Sequence, residues 1–393
     1  MRADDCVRDL RFEKDVVTEI FELADSMGPL KIVHVHEASL GLRAILVVDN
    51  VAMGPSIGGM RMAPDVSVQE CARLARAMTL KNAAAGLPHG GGKSVLFGDP
   101  RMPKSDKETL VRAFASALRN TEEYIFGPDM GTDEECMAWV RDEIGRAVGL
   151  PRELGGIPLD EIGATGFGIA QATDVALEHC DFELDGARVA VQGFGAVGMH
   201  AARFLTERGA VVVAAADSRG AVHDPHGLEV SKLIELKAHG DSVAAYPGAR
   251  MLGRDDIIEV ECEIWIPAAR PDVVREDNAD RLKAKLVVQG ANIPITAGAE
   301  RMLAERGIVN IPDFIANAGG VICAAVEYRG GGEATALATI EEKLRTNTAL
   351  VLRQAKEDQA LPRDAALHLA KTRVDKAMSF RRFSSFSTAP RFV

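Results

Sequence analysis

The stretch ARVAVQGFGAVGMH (residues 187–200) decides how the rest of the chain is read. Its first half, up to Gln192, is short, apolar and β-branched, the pattern of a buried strand. It runs directly into Gly193-Phe194-Gly195-Ala196-Val197-Gly198, a G-x-G-x-x-G, and then into residues with helical spacing. Gly193 permits the tight turn, Gly195 lets backbone approach a pyrophosphate, and Gly198 lets the helix pack closely on the strand. The helix start adds unpaired N–H groups and partial positive charge. Such spacing alone is weak, but Asp217 closes the next apolar stretch, AVVVAAAD (210–217), 24 residues after Gly193. An acid at that place takes a ribose 2′-hydroxyl and repels a 2′-phosphate, which points to NAD over NADP. Ser218 and Arg219 follow at once and can soften that preference.

Working outward, EIWIP (263–267), KLVVQ (285–289) and IVNIP (308–312) repeat the short apolar strand, with helical stretches between. Continuous apolar strands alternating with helices predict a parallel sheet covered on both faces. Upstream lies LPRELGGIPLDEIG (150–163), rich in Pro and Gly and read as a hinge. Before it the spacing predicts a helix over 7–27, strands at 31–37 and 42–53, and a glycine-rich turn at 54–61. A helix over 67–85 follows, then a loop running into a short strand (89–100), a helix within 104–120, and a loop and helix over 127–145. After 317–321 the chain reads as helical to about 378, and its tail is expected to be loosely ordered. The expected architecture is α/β with two domains separated by a cleft. Residues 1–150, completed by helices of 335–393, form a substrate-binding and oligomerisation domain, and 151–334 form a Rossmann-type NAD-binding domain.

Composition narrows the function. Of 393 residues, 46 are Lys or Arg and 57 Asp or Glu, a net charge of −11. That balance argues against nucleic acid or an anionic membrane as partner. The N-terminus MRADDCVRDLRFEKD has no apolar core, so no secretory signal is expected. Six scattered cysteines without a C-x-x-C pair point away from disulfides or zinc and towards the cytoplasm. His34 and His36, and His223 and His226 in a presumed loop, lack a companion cluster, so no metal is expected.

Three residues are candidates for the chemistry. Lys81 continues a helical stripe of Leu74, Met78 and Ala85, so it faces away from bulk water. A lysine so placed is costly unless an anion pairs with it, and a substrate carboxylate is a suitable anion. Lys93 follows three glycines in HGGGK; a phosphate loop is rejected because Leu87 stands where its first glycine belongs. Asp129 lies in GPDMGT, where an aspartate also serves as a plain turn residue.

Together GPSIGGMRM (54–62), MTLKNAAAGLPHGGGK (78–93), GPDMGT (127–132), ATGFG (164–168), VQGFGAVG (191–198), PAA (267–269), GAN (290–292) and PDFIANAGGV (312–321) make the chain resemble the Glu/Leu/Phe/Val dehydrogenases over nearly its whole length. The resemblance implies reversible oxidative deamination of an L-amino acid to a 2-oxo acid and ammonium with NAD, NADP being possible. It implies that Lys81 binds the substrate carboxylate, with Gly58 and Gly59 beside the substrate, and that Lys93 and Asp129 are catalytic. In that scheme Asp129 takes a proton from the α-ammonium and Lys93 activates water. It places Thr165, Ala268, Asn292 and Asn317, with the fingerprint and Asp217–Ser218, around the dinucleotide. It also implies a homo-oligomer of six or eight chains.

Two positions bear on the amino acid. The family's glutamate enzymes carry a lysine where this chain has Ile57 and a serine where it has Ala324. Two apolar positions leave a side-chain carboxylate unpaired, so the pocket reads as one for a branched-chain or other apolar amino acid. The alternatives are a glutamate dehydrogenase with an atypical pocket, or a catalytically silent dinucleotide-binding regulator on this fold.

Overall fold

The computed structural model describes residues 21–380, so most of the helix expected over 7–27 and nearly all of the tail lie outside it. The first half is built on a five-stranded sheet. Its elements are β1 (Lys31–Glu37), β2 (Leu42–Asn50), β3 (Ser56–Ala63), α1 (Val68–Ala84), β4 (Gly90–Phe97), α2 (Lys104–Ala117), β5 (Tyr124–Pro128) and α3 (Glu134–Ile144). The strand order is β1-β2-β4-β3-β5, with β3 parallel to both β4 and β5.

Of the stretch 54–61 only Gly54 and Pro55 form a bend; Gly58 and Gly59 lie in β3, an inner strand of the sheet, and Gly90–Gly92 lie in β4, its central strand. Glycine usually weakens a strand, but it also marks close approach of another backbone. A Cβ at Gly58 would sit 1.7 Å from the Gly92 carbonyl oxygen, and one at Gly91 would sit 2.0 Å from the Thr79 nitrogen of α1. Tertiary proximity overrides the local preference. The buried face of α1 is also turned from the expected stripe: Cys71, Ala75, Thr79 and Asn82 are buried, whereas Leu74, Met78 and Lys81 are half-buried.

The second half contains α4 (Ala164–Ala176), β6 (Arg188–Gln192), α5 (Ala196–Thr206), β7 (Val211–Asp217), β8 (Gly220–His223), α6 (Val230–Ala238), β9 (Arg250–Leu252), β10 (Ile264–Pro267), β11 (Leu286–Val288), α7 (Ala297–Glu305) and β12 (Val309–Ile311). Its sheet has the order β12-β11-β10-β6-β7-β8-β9. The five strands expected from the sequence are its parallel part. The antiparallel β8 and β9 extend it, so His223 ends a strand and does not lie in a loop. The two-residue connection Ser218-Arg219 folds β8 back on β7, a hairpin too short to show as a separate hydrophobic period.

Four helices follow: α8 (Asp313–Ala316), α9 (Gly319–Tyr328), α10 (Glu333–Asp358) and α11 (Pro362–Phe380). Helix α10 packs on α4 and α11 packs on α1, so the C-terminal helices bridge the two halves. One apolar cluster accordingly runs from Ala83 and Leu87 through Val189 and Ile266 to Leu344 and Val374.

Candidate active site

Lys93 and Asp129 reach the same point from the two strands that flank β3. Lys93 is buried on β4, and Asp129 follows the last residue of β5. The Lys93 Nζ lies 2.7 Å from Asp129 Oδ2. Gly59, on β3 between them, makes room: a Cβ there would meet Asp129 Cβ at 2.7 Å and Lys93 Nζ at 3.1 Å. The loop holding Asp129 is pinned locally. Asp129 N donates to Thr132 Oγ1 at 3.0 Å, and the Thr132 hydroxyl donates to the Met60 carbonyl at 2.7 Å. Gly131 adopts φ 81°, in the left-handed region.

Arg61 also belongs to this centre, although sequence reasoning passed over it within GPSIGGMRM. Its Nε donates to Asp129 Oδ2 at 3.0 Å and its Nη1 to Glu70 Oε1 at 2.5 Å. Alternation along β3 from Gly59 to Arg61 was the signal that could have found it. Burial pushes the Asp129 carboxyl up, but Lys93 and then Arg61 outweigh it, and the pKa is lowered. Asp129 is therefore ionised at neutral pH.

Lys81 stands near the end of α1. Burial is the main effect on its amine, Asp313 partly offsets it, and Lys93 adds repulsion, which together lower the pKa to about 8. An incoming carboxylate would relieve both the desolvation and the repulsion. Ile57 packs with Ile125 and Val148, and Ala324 and Tyr328 of α9 lie against them. Two positions far apart in sequence thus share one apolar cluster. His89, at 2% exposure, packs edge-on against Tyr328.

The dinucleotide motifs meet at the carboxyl ends of β6, β10 and β11, the expected crevice of a doubly wound sheet. Gly193 has φ 102°, and a Cβ there would strike Ala268 and Ala269 backbone at 2.6–2.7 Å. A Cβ at Gly198 would sit 2.0 Å from the Gly193 carbonyl, whereas one at Gly195 meets nothing within 4 Å. Gly195 N-caps α5 without a side-chain hydrogen bond, so the first N–H groups of the helix face open space next to it. This cradle fits a pyrophosphate. Ala196 is exposed and Val197 half-buried, and a Cβ at Gly290 would touch both Val197 and Ala268. Phe194 is the exception: its ring is 1% exposed and packs in the core, so only its backbone can face a cofactor.

Asn317 Nδ2 donates to Asn292 Oδ1 at 3.0 Å, and Asn317 Oδ1 is buried without a partner. Thr165, in the first turn of α4, lies beside Gly319 and Gly320. Asn292 and Asn317 are thus in contact, and Thr165 stands beside the start of α9.

Asp217 is placed as expected, at the end of β7, but its carboxylate is already engaged. Oδ1 accepts from Arg219 N and Ser242 Oγ, and Oδ2 accepts from Lys237 Nζ and Val243 N, all at 2.8–3.1 Å. Burial raises its pKa, but these donors, Lys237 foremost, hold it at about 2. The carboxylate is held by four donors, and Lys237 balances its charge. Ser218 and Arg219 are exposed beside it.

Among the described residues no group of three or more His, Cys, Asp or Glu side chains is placed to hold a metal, and no helix is long and apolar enough to cross a membrane.

Residues 155–382 match the family model described as Glutamate/Leucine/Phenylalanine/Valine dehydrogenase, and 31–146 match the Glu/Leu/Phe/Val dehydrogenase dimerisation domain. Among curated relatives, a glutamate dehydrogenase of Aeropyrum pernix is 39% identical over 84% of this chain and 85% of its own length. An NADP-specific glutamate dehydrogenase of Saccharolobus shibatae is 36% identical, over 84% and 83%. A leucine-bound hetero-hexameric glutamate dehydrogenase from Thermus thermophilus superimposes with a TM-score of 0.78 at 29% identity, over 91% of each chain.

Proposed function

Because the chain belongs to the Glu/Leu/Phe/Val dehydrogenase family, as an amino-acid dehydrogenase using NAD(P), we propose that it is a glutamate dehydrogenase with an atypical side-chain subsite. The relatives, at 36–40% identity over two thirds or more of their length, support glutamate over the branched-chain substrate expected from the pocket alone. The observation that carries the chemistry is the Lys93–Asp129 contact at 2.7 Å, with Lys81 nearby.

In this reading Lys81, as a cation, pairs with the substrate α-carboxylate. Asp129, ionised, takes a proton from the α-ammonium and returns it to departing ammonia. Lys93 passes a proton to and from the water that adds at Cα, and its contact with Asp129 lets the two share that proton. Arg61 keeps Asp129 aimed at Lys93. When bound in the Gly193–Gly198 cradle, with Thr165, Asn292 and Asn317 beside it, the dinucleotide supplies the hydride acceptor. Since Lys237 balances Asp217, a 2′-phosphate meets less repulsion than a free carboxylate would exert, and both NAD and NADP are expected to serve.

A second reading has its own support. Ile57 and Ala324 belong to one apolar cluster, which suits leucine or a similar side chain. Assay with glutamate, leucine, valine and phenylalanine, using NAD and NADP in turn, separates the two. Glutamate turnover at least about tenfold above the others supports the first reading. A preference for leucine replaces it with the second, and no reduction with any amino acid overturns both. We also infer a homo-oligomer assembled through the first sheet's domain, on the match of residues 31–146 to a dimerisation domain. Light scattering showing a monomer would overturn it.

A further inference from the structure

Glu327 is a buried carboxylate for which the reaction above has no use. It lies on α9 at 7% exposure, and among the described residues no lysine or arginine pairs with it. Its oxygens accept backbone N–H groups from the segment that joins the two halves: Oε1 from Leu150 at 3.1 Å and Oε2 from Ile157 at 3.0 Å. Burial raises its pKa while these backbone donors work against the rise. Burying a carboxylate without a cation is expensive, so its retention asks for a role beyond filling space.

The segment is folded to suit that grip. Gly156 N donates to the Pro151 carbonyl at 3.1 Å, and a Cβ at Gly156 would lie 1.7 Å from the Leu150 carbonyl oxygen. Leu150 and Ile157 are therefore brought side by side, and one side chain with two acceptors holds both ends of the loop. Upstream, Val148 N donates to the Phe126 carbonyl at 2.8 Å, and its side chain packs with Ile57. Downstream, Gly163 opens α4, which carries Thr165. On α9, Ala324 lies one turn before Glu327 and touches the Ile57 cluster. At the start of the same helix, a Cβ at Gly319 would lie 2.1 Å from the Ala164 carbonyl oxygen. One helix thus contacts the substrate-side sheet, the dinucleotide-side helix and the linker between them.

We infer that Glu327 is a positioning residue: it clamps the interdomain linker to α9 and so fixes the closure in which the dinucleotide half meets Lys93 and Asp129. An amide at this place keeps the shape but turns one acceptor into a donor, leaving either Leu150 or Ile157 N–H opposite an NH2 group.

The test compares the whole enzyme with Glu327→Gln, using NADH, ammonium and either 2-oxoglutarate or 4-methyl-2-oxopentanoate, whichever wild type turns over. Wild-type turnover in that assay separates failure of the clamp from failure of the assigned reaction. In the variant, kcat should fall about 10–100-fold, because closure geometry is what is lost. KM for NADH should stay within about twofold, since the cradle lies inside one domain. Small-angle scattering should show contraction of wild type on adding NADH and the 2-oxo acid, and little in the variant. A folded variant with wild-type kcat, or one that contracts fully, overturns the proposal. Should the variant not fold, amide exchange of wild type decides. Leu150 and Ile157 should be protected, and more so with both ligands bound. Exchange at exposed-loop rates, or no response to ligand, overturns it.

Discussion

At the scale of the residue, the centre is a charge-pairing problem in which Asp129 is shared by Lys93 and Arg61, and Glu70 holds the far side of Arg61. Asp129 faces Lys93 at 2.7 Å and Arg61 at 3.0 Å, so Asp129→Asn leaves the buried Lys93 without its anion, while Arg61 keeps Glu70, and removes the proposed proton acceptor. Positioned acid–base groups contribute about 10²–10⁴-fold. Lys93→Ala should accordingly lower kcat by about that factor while dinucleotide affinity, measured by fluorescence titration, is retained; near-normal turnover would falsify its assignment. Lys81 makes a different prediction. Its folded pKa is lowered to about 8, so the cation that binds carboxylate is present below that pH and lost as pH rises through it. The free-enzyme profile of kcat/KM for the 2-oxo acid should fall on the alkaline side with a midpoint near 8. Lys81→Arg, charged throughout, should lack that limb even if its affinity differs. An unchanged profile in the variant would assign the limb to another group.

At the scale of the element, glycines do two distinct jobs. Gly58 exists for strand packing, since its Cβ would sit 1.7 Å from the Gly92 carbonyl oxygen. Gly58→Ala must push β3 from β4 and is expected to cost about 1–3 kcal/mol, read as a lower denaturant midpoint. Gly195 has open space around it and φ −91°, which alanine accepts. Gly195→Ala should leave the denaturant midpoint unchanged and weaken dinucleotide binding about tenfold or more, because the methyl occupies the space a pyrophosphate needs. Equal loss of stability in both variants would contradict this division. The contrast also shows what sequence could read at this scale. In GFGAVG the glycines stand at a strand–helix junction, a local event, and the turn was legible. In SIGGMR and HGGGK they stand inside strands, because another chain segment comes within contact of them. That approach has no local signature, so both stretches read as turn or loop.

At the scale of the whole molecule, the C-terminal helices tie the halves together. Arg363 on α11 pairs with Glu300 Oε2 at 2.8 Å and Asp313 Oδ1 at 2.9 Å, both acids buried. Asp313 in turn accepts from Ile293 N at 2.9 Å, next to Asn292, and its charge favours the Lys81 cation. Breaking such a buried network leaves uncompensated charge. Arg363→Met should destabilise by about 3 kcal/mol in urea unfolding and raise KM for the dinucleotide. A shift below about 0.5 kcal/mol would mean that the network is dispensable.

Resemblance to the family singled out Lys81, Lys93 and Asp129, while sequence by itself determined the doubly wound half and the strand–turn–helix of a dinucleotide cradle. Those rest on signals carried within a few residues: strand period, glycine spacing, a helix start. Only the tertiary structure decided how those residues are used. It brought Ile57 to Ala324, set Arg61 on Asp129, filled the Asp217 carboxylate with four donors, and gave the linker to Glu327. The physical reason is that burial and hydrogen-bond saturation depend on which distant groups converge on an atom, and no spacing along the chain encodes that convergence.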